Sequence, residues 1–276
     1  MNPKTVRPAV AVSAISVALV AGVLGGGCGT EERPGDEVRE TTSQLLTGGW
    51  HYTWQQVGSD PPPVLDLGPT SDRTCFLTGV AGNLEASARV RISEDVDGHW
   101  KLAVSSYAGL DLKGTVACLP TIAGRTEAVE WTSSEPRHVL GAFTSHRRCF
   151  LTSVSNGPGG YFENDEDHVR VWHDSKHWYI GGGGNAAGVA RCIDVDSDQG
   201  SWLWIAGSGH RTDDLAADSG GVHCLLTGIG GRFISVMTPW DLPALEDGVL
   251  IGFEWKGQQW TMSTSRGKRG WATCFK

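Results

Sequence analysis

CFLTGV at Cys75–Val80 returns as CFLTSV at Cys149–Val154 and as CLLTGI at Cys224–Ile229, starting 74 and then 75 residues further on. A chain that repeats a cysteine and an apolar run at so even a period is built from copies of one supersecondary unit. Each copy also holds a later cysteine: Cys118 follows Cys75 by 43 residues, Cys192 follows Cys149 by 43, and Cys274 follows Cys224 by 50. Six cysteines allow 15 pairings, and the repeat selects one of them: Cys75–Cys118, Cys149–Cys192 and Cys224–Cys274. Three disulfides of this kind place the chain in an oxidising compartment.

Further landmarks recur in the same order. HYTW, EAVEW and SWLW end at Trp54, Trp131 and Trp204, upstream of the first cysteine of each copy. ARVRI, HVRVW and GVLIG follow that cysteine, with Val90, Val169 and Val249 in register. Then come Trp100, Trp178 and Trp260, and last Gly114, Gly188 and Gly270, each four residues before the second cysteine. The copies run over 46–120, 121–195 and 196–276.

Every landmark is rich in β-branched and aromatic residues and is bounded by Gly, Asp, Asn or Ser, so the expected fold is all-β. In ARVRI, Val90 and Ile92 alternate with Arg89 and Arg91, as in a strand with one wet face. DVDGHW, HDSKHW and EWKGQQW are hairpin turns leading to the Trp strand. In CFLTGV, strict alternation puts Cys75 and Leu77 on one face and Phe76 and Val80 on the other, as in a strand buried on both sides. A unit of five or so strands has open edges and one uncovered apolar side. Three tandem β-repeats, each with one internal disulfide, cover those surfaces by packing with pseudo-threefold symmetry. The connections ACLPTIAG and RCIDVDSD are too short for beads on a string.

The first 28 residues have another character. Lys4 and Arg7 precede the apolar run Ala9–Leu24, which is followed by Gly25, Gly26, Gly27 and Cys28. This is an export signal, too short at about 16 apolar residues for a lasting span, which takes ~20. Leu24-Gly25-Gly26-Gly27-Cys28 resembles the lipobox of bacterial lipoprotein precursors, with Leu24 one position further from the cysteine than the family pattern has it. The resemblance implies removal of residues 1–27 and lipidation of Cys28. It further implies anchoring to a membrane of the bacterial cell envelope, at the outer membrane or cell surface. Residues 28–45 then form the lipidated cysteine and a polar, disordered tether, GTEERPGDEVRETTSQ over Gly29–Gln44. The full chain has a formal net charge of −8, and losing two basic residues with the signal takes it to −10. That balance argues against nucleic acid as a partner.

Several motifs offer chemistry and lose to plainer readings. DSGG at Asp218–Gly221 resembles the nucleophile segment of trypsin-like serine proteases, with His146 the nearest stand-in for the base, but Ala217 stands where that family has glycine. It occupies the same slot as TSDRTC and TSHRRC, the turn before the central strand. Glu163–His168, with His173, Asp174 and His177 beyond, fits neither a calcium loop nor a zinc spacing and is a solvated acidic loop. GGGGN at Gly181–Asn185 lacks the ending of a phosphate loop and is a connection between strands. No cofactor or metal is implied. Of 12 tryptophans, Trp100, Trp178 and Trp260 are core anchors. Trp50, Trp172, Trp202, Trp240 and Trp255 fall outside the register and are the candidates for ligand contact. The expected function is non-catalytic binding of a carbohydrate or protein by a membrane-anchored lipoprotein. The alternatives are a structural or interaction protein of the envelope and, third, a secreted hydrolase.

Overall fold

A computed structural model describes residues 41–44, 50–56, 64–85, 87–106, 111–120, 123–157, 162–195, 198–205, 211–217, 221–233, 248–254, 258–265 and 267–276. All lie in the unit Asp36–Lys276. They form nineteen strands and no helix, so the all-β expectation holds. The signal, Cys28, Ser219, Trp240 and Trp255 lie outside the described residues, as do the side chains of Trp202 and Trp204.

The strands make three antiparallel sheets. The first has the order β1 (Thr41–Gln44), β2 (Trp50–Gln56), β7 (Leu112–Pro120), β4 (Arg73–Gly82), β17 (Gly248–Glu254), β18 (Gln259–Thr264), β15 (Arg211–Ala217). The second runs β3 (Leu65–Pro69), β6 (His99–Ser105), β5 (Arg89–Glu94), β10 (Arg147–Asn156), β13 (Ala186–Asp194), β8 (Val129–Thr132). The third runs β14 (Asp198–Ile205), β19 (Lys268–Phe275), β16 (His223–Gly231), β11 (His168–His173), β12 (His177–Gly183), β9 (His138–Ala142). Each sheet thus combines strands from two segments of the chain. Residues 46–120, for example, send β2, β4 and β7 to the first sheet and β3, β5 and β6 to the second.

Among the described residues each segment has six strands, against an expected five or so. The unforeseen ones, β3, β9 and β15, sit at sheet edges with sequences LDLGP, HVLGA and RTDDLAA, short or weakly alternating and without a cysteine or tryptophan landmark. The expected disordered tether also ends sooner. Thr41–Gln44 pairs with β2, Thr41 opposite Thr53 and Gln44 opposite Trp50, because the edge of β2 otherwise presents a row of open backbone groups.

The disulfides Cys75–Cys118, Cys149–Cys192 and Cys224–Cys274 each join directly opposed residues of neighbouring strands, β4 with β7, β10 with β13 and β16 with β19. Three residues beyond each first cysteine the register shifts by one, leaving Thr78, Thr152 and Thr227 as the bulged residues. Thr78 Oγ1 donates to Thr115 Oγ1 at 3.0 Å and Thr152 Oγ1 to the Val189 carbonyl at 3.3 Å. A bulge inserts one residue and so inverts the alternation beyond it. This corrects the expected faces: Val80 joins Cys75 and Leu77 in the main core, while Phe76 faces a second, smaller cluster. The same division separates Val154 from Phe150 and Ile229 from Leu225.

The second cluster lies where β4, β10 and β16, one from each sheet, meet one another. Phe150 is its centre, 5.3 Å from Phe76 and 5.2 Å from Phe275. The main core contains Trp100, Trp178 and Trp260, all buried as expected of anchors. Gly114, Gly188 and Gly270 mark close approaches between sheets. A β-carbon there would lie 2.5 Å from Val90 Cγ1, 2.8 Å from Val169 Cγ2 and 2.6 Å from Val249 Cγ1, respectively. Two sequence landmarks, the glycine and the valine in register, are therefore two halves of one contact.

Candidate cleft on the third sheet

Beyond its bulge each central strand holds its neighbour for only three residue pairs before the two diverge. These pairs end at Gly79 and Leu250, Ser153 and Arg91, and Gly228 and Arg170. The fork that opens is filled in two of the sheets. In the second, Glu94 stands opposite Trp100, and Arg191 bridges to it at 2.6 Å with its guanidinium 5.0 Å from the Trp100 ring centre. In the first, Phe253 and His51 pack on Trp260 at 5.6 and 5.8 Å.

In the third sheet one of these places is vacated. The residue before Cys274 is Thr273 instead of an arginine, Ser201 stands opposite it, and their hydroxyls lie 2.8 Å apart. His173, opposite Trp178, packs on it at 4.7 Å and stacks on Phe143 at 4.3 Å. What remains is a cleft of about 270 Å³. Thr227, Thr273 and Ser201 line it on one side and Trp172, Val171, His173 and Trp178 on the other, with Arg170 and Trp271 beside them. Trp100 and Trp260 donate their indole N–H groups to the carbonyls of Arg73 and Val222 at 2.8 Å. Trp178 is buried, lines the cleft, and its Nε1 has no partner among the described residues.

The outward face next to the cleft is paved in a particular way. In one row Trp271, Gly228, Arg170 and Gly181 stand side by side, and in the next Arg269, Gly230, His168 and Gly183. Glycine on alternate strands lets large rings lie low on the sheet: a β-carbon on Gly181 would come 2.8 Å from Trp172 Cη2, and one on Gly228 3.0 Å from Trp271 Cε3. The GGGGN run, read as a connection, is thus mostly strand. Gly181–Gly183 end β12, and only Gly184 and Asn185 turn.

Cations lie against these rings: Arg170 at 5.0 Å from Trp172, Arg269 at 5.7 Å from Trp271, and Arg137 at 4.1 Å from Tyr179, which is 5.9 Å from Trp172. The hairpin carrying Trp172 and Trp178 is held by Asp174, which accepts from the backbone of His177 and Lys176 and from the Tyr179 hydroxyl. Those bonds, the His177 N–H first, hold its carboxyl well below the usual carboxylate range. His168 donates to the Glu166 carbonyl at 2.7 Å; burial lowers its pKa against that bond, and the charges of Arg269 and Arg170 lower it further.

Of the sequence candidates, Trp172 is in this site and Trp202 is on β14 of the same sheet, opposite Ala272. Trp50 belongs to the first sheet, with the Arg73 guanidinium 4.1 Å from its ring. Trp271 and Arg170 were not singled out. The signal was present in the copies: Trp271 stands where they have Thr115 and Val189, and Trp172 where they have Ser93 and Gly252. Within the acidic loop, Asp167 is buried and accepts three backbone N–H groups, from Glu163, Asn164 and Asn185, so its carboxylate is spent on the turn. Among the described residues no group of three or more His, Cys, Asp or Glu is placed to hold a metal ion.

No family model matches the chain, and no curated protein or solved structure matches it either.

Proposed function

We propose that the chain is an exported lipoprotein, anchored through Cys28, whose body binds a saccharide without transforming it in the cleft of the third sheet. The observation that carries this is the cleft's composition: two partly exposed indoles, Trp172 and Trp271, flank hydroxyls and a guanidinium where the other two forks are plugged. The apolar C–H face of a pyranose packs on an indole by dispersion, while its hydroxyls need the polar partners that Ser201, Thr227, Thr273 and Arg170 offer. Three internal disulfides accord with export, and among the described residues no helix is long and apolar enough to cross a membrane.

The body itself we read as three copies of one six-strand unit around a pseudo-threefold axis at Phe76, Phe150 and Leu225. In support, every sheet takes the first, third and sixth strands of one copy and the second, fourth and fifth of another. Duplication explains why one fork can specialise while two remain structural.

The test is a glycan array probed with the mature protein, followed by titration of Trp172→Ala, Trp271→Ala and Thr273→Arg. Each tryptophan change should weaken binding at least tenfold. Thr273→Arg, which supplies the side chain that fills the second sheet's fork, should abolish it. An empty array, or binding indifferent to Trp271→Ala and Thr273→Arg, sinks the reading. The mass of the mature N-terminus tests the anchor: an unmodified Cys28 overturns it.

A further inference from the structure

We infer that the saccharide taken by this cleft is anionic, its carboxylate or sulfate held by Arg170 and Arg269 beside the Trp172 and Trp271 platform; this rests on the saccharide-binding reading above.

Four other cations of the described residues are matched by acids: Arg73 with Asp72 at 2.6 Å, Lys101 with Asp66 at 2.9 Å, Arg147 with Asp194 at 3.3 Å and Arg191 with Glu94 at 2.6 Å. Arg170 and Arg269 differ. Among the described residues neither has a carboxylate or carbonyl partner, and Arg170 Nε and Arg269 Nε and Nη2 are shielded from solvent with no acceptor. Donors of a charged group left without acceptors are costly, and the ring quadrupoles beside them offset only part of that cost.

Arg170 lines the cleft, and Arg269 adds its charge from the same glycine-paved face. Arg170 and Arg269 flank β16 diagonally, opposite Gly228 and Gly230, and the rings of His168 and Trp271, 6.0 Å apart, hold the other diagonal. A guanidinium fork matches the oxygens of a carboxylate or sulfate. A cationic ligand would meet two like charges, and a neutral one would leave both guanidinium groups unanswered. The chain as a whole carries a net charge of −8, so attraction of an anion here comes from this patch against the field of the rest of the molecule.

The experiment compares, by calorimetry on the mature protein, a hexagalacturonate, its neutral methyl ester, a heparin-derived hexasaccharide and a hexaglutamate peptide. The uronate or the sulfated sugar should bind at least tenfold more tightly than the ester and should weaken as salt is raised from 50 to 500 mM. The two arms tell carboxylate from sulfate. Arg269→Gln should erase most of the preference while leaving binding of the ester, and Arg170→Gln should weaken acid and ester alike but the acid more, whereas Arg91→Gln on the exposed face of β5 should leave the preference intact. Equal binding of ester and acid by the unaltered protein overturns this inference alone. Stronger binding of hexaglutamate than of either acidic sugar also overturns it. Failure of every sugar, charged or neutral, instead overturns the saccharide-binding reading.

Discussion

Gly270 has Val249 Cγ1 and Met262 Sδ at 2.6 and 2.7 Å from where a β-carbon would be, so Gly270→Ala forces two sheets apart. The expected loss is about 1–3 kcal/mol, typical of overpacking, read by chemical denaturation. At the matching contact in the first copy, Val90→Ala in a Gly114→Ala background should return part of the loss, because the clash is then relieved at its other half. A second residue-scale prediction concerns acid. Burial, with His223 adding to it, lowers the His51 pKa to about 4. In the unfolded chain the imidazole takes up its proton near pH 6.5, whereas in the folded protein it resists until about 4. The stability His51 contributes is therefore whole above pH 6.5 and drains away between 6.5 and 4, by at most about 1.4 kcal/mol per pH unit. Melting temperatures from pH 7 to 5 should fall less in His51→Gln. An unchanged slope would mean that His51 takes up its proton at the same pH in the folded and the unfolded chain. The glycine and the valine were both visible in the sequence as landmarks. Their contact was not, because partners on two different sheets leave no periodic trace in either strand.

At the scale of elements, the bulge decides the most. Alternation along CFLTGV is a sound rule for a regular strand, and it misplaced Val80 because one inserted residue reverses every side chain beyond it. The threonine present in all three copies is that residue, yet a threonine in a strand looks like any other β-former. The forks that follow the bulges are where the sheets can be opened or filled by a few side chains. β1 has the opposite task of closing an edge. A form of the protein beginning at Gly48 exposes the edge of β2, and it should self-associate in size-exclusion chromatography at concentrations where the mature protein does not. An unchanged elution volume would show that the edge is protected without Thr41–Gln44.

For the body of the molecule, the exchange of strands between segments carries a thermodynamic consequence. No segment of about 75 residues contains a whole sheet, so melting should be one cooperative transition with equal calorimetric and van't Hoff enthalpies. Two or three separable transitions would favour independent units. Phe150→Ala, at the junction of all three sheets, should cost about 3–5 kcal/mol and lower that single transition without splitting it. The disulfides span separations of 43, 43 and 50 residues and should contribute roughly 4 kcal/mol each on the chain-entropy estimate, so reduction should lower the transition sharply.

The period of the cysteines, their pairing and the strand character of each landmark could be read directly from the amino acids, because local pattern and recurring motifs both leave marks along a chain. Which copy's strands complete which sheet, where the alternation inverts, and which fork stays open are settled by contacts between residues far apart in sequence. Arg191, His51 and Thr273 look equally ordinary on the page; only the folded arrangement reveals that two of them are plugs and the third is a gap.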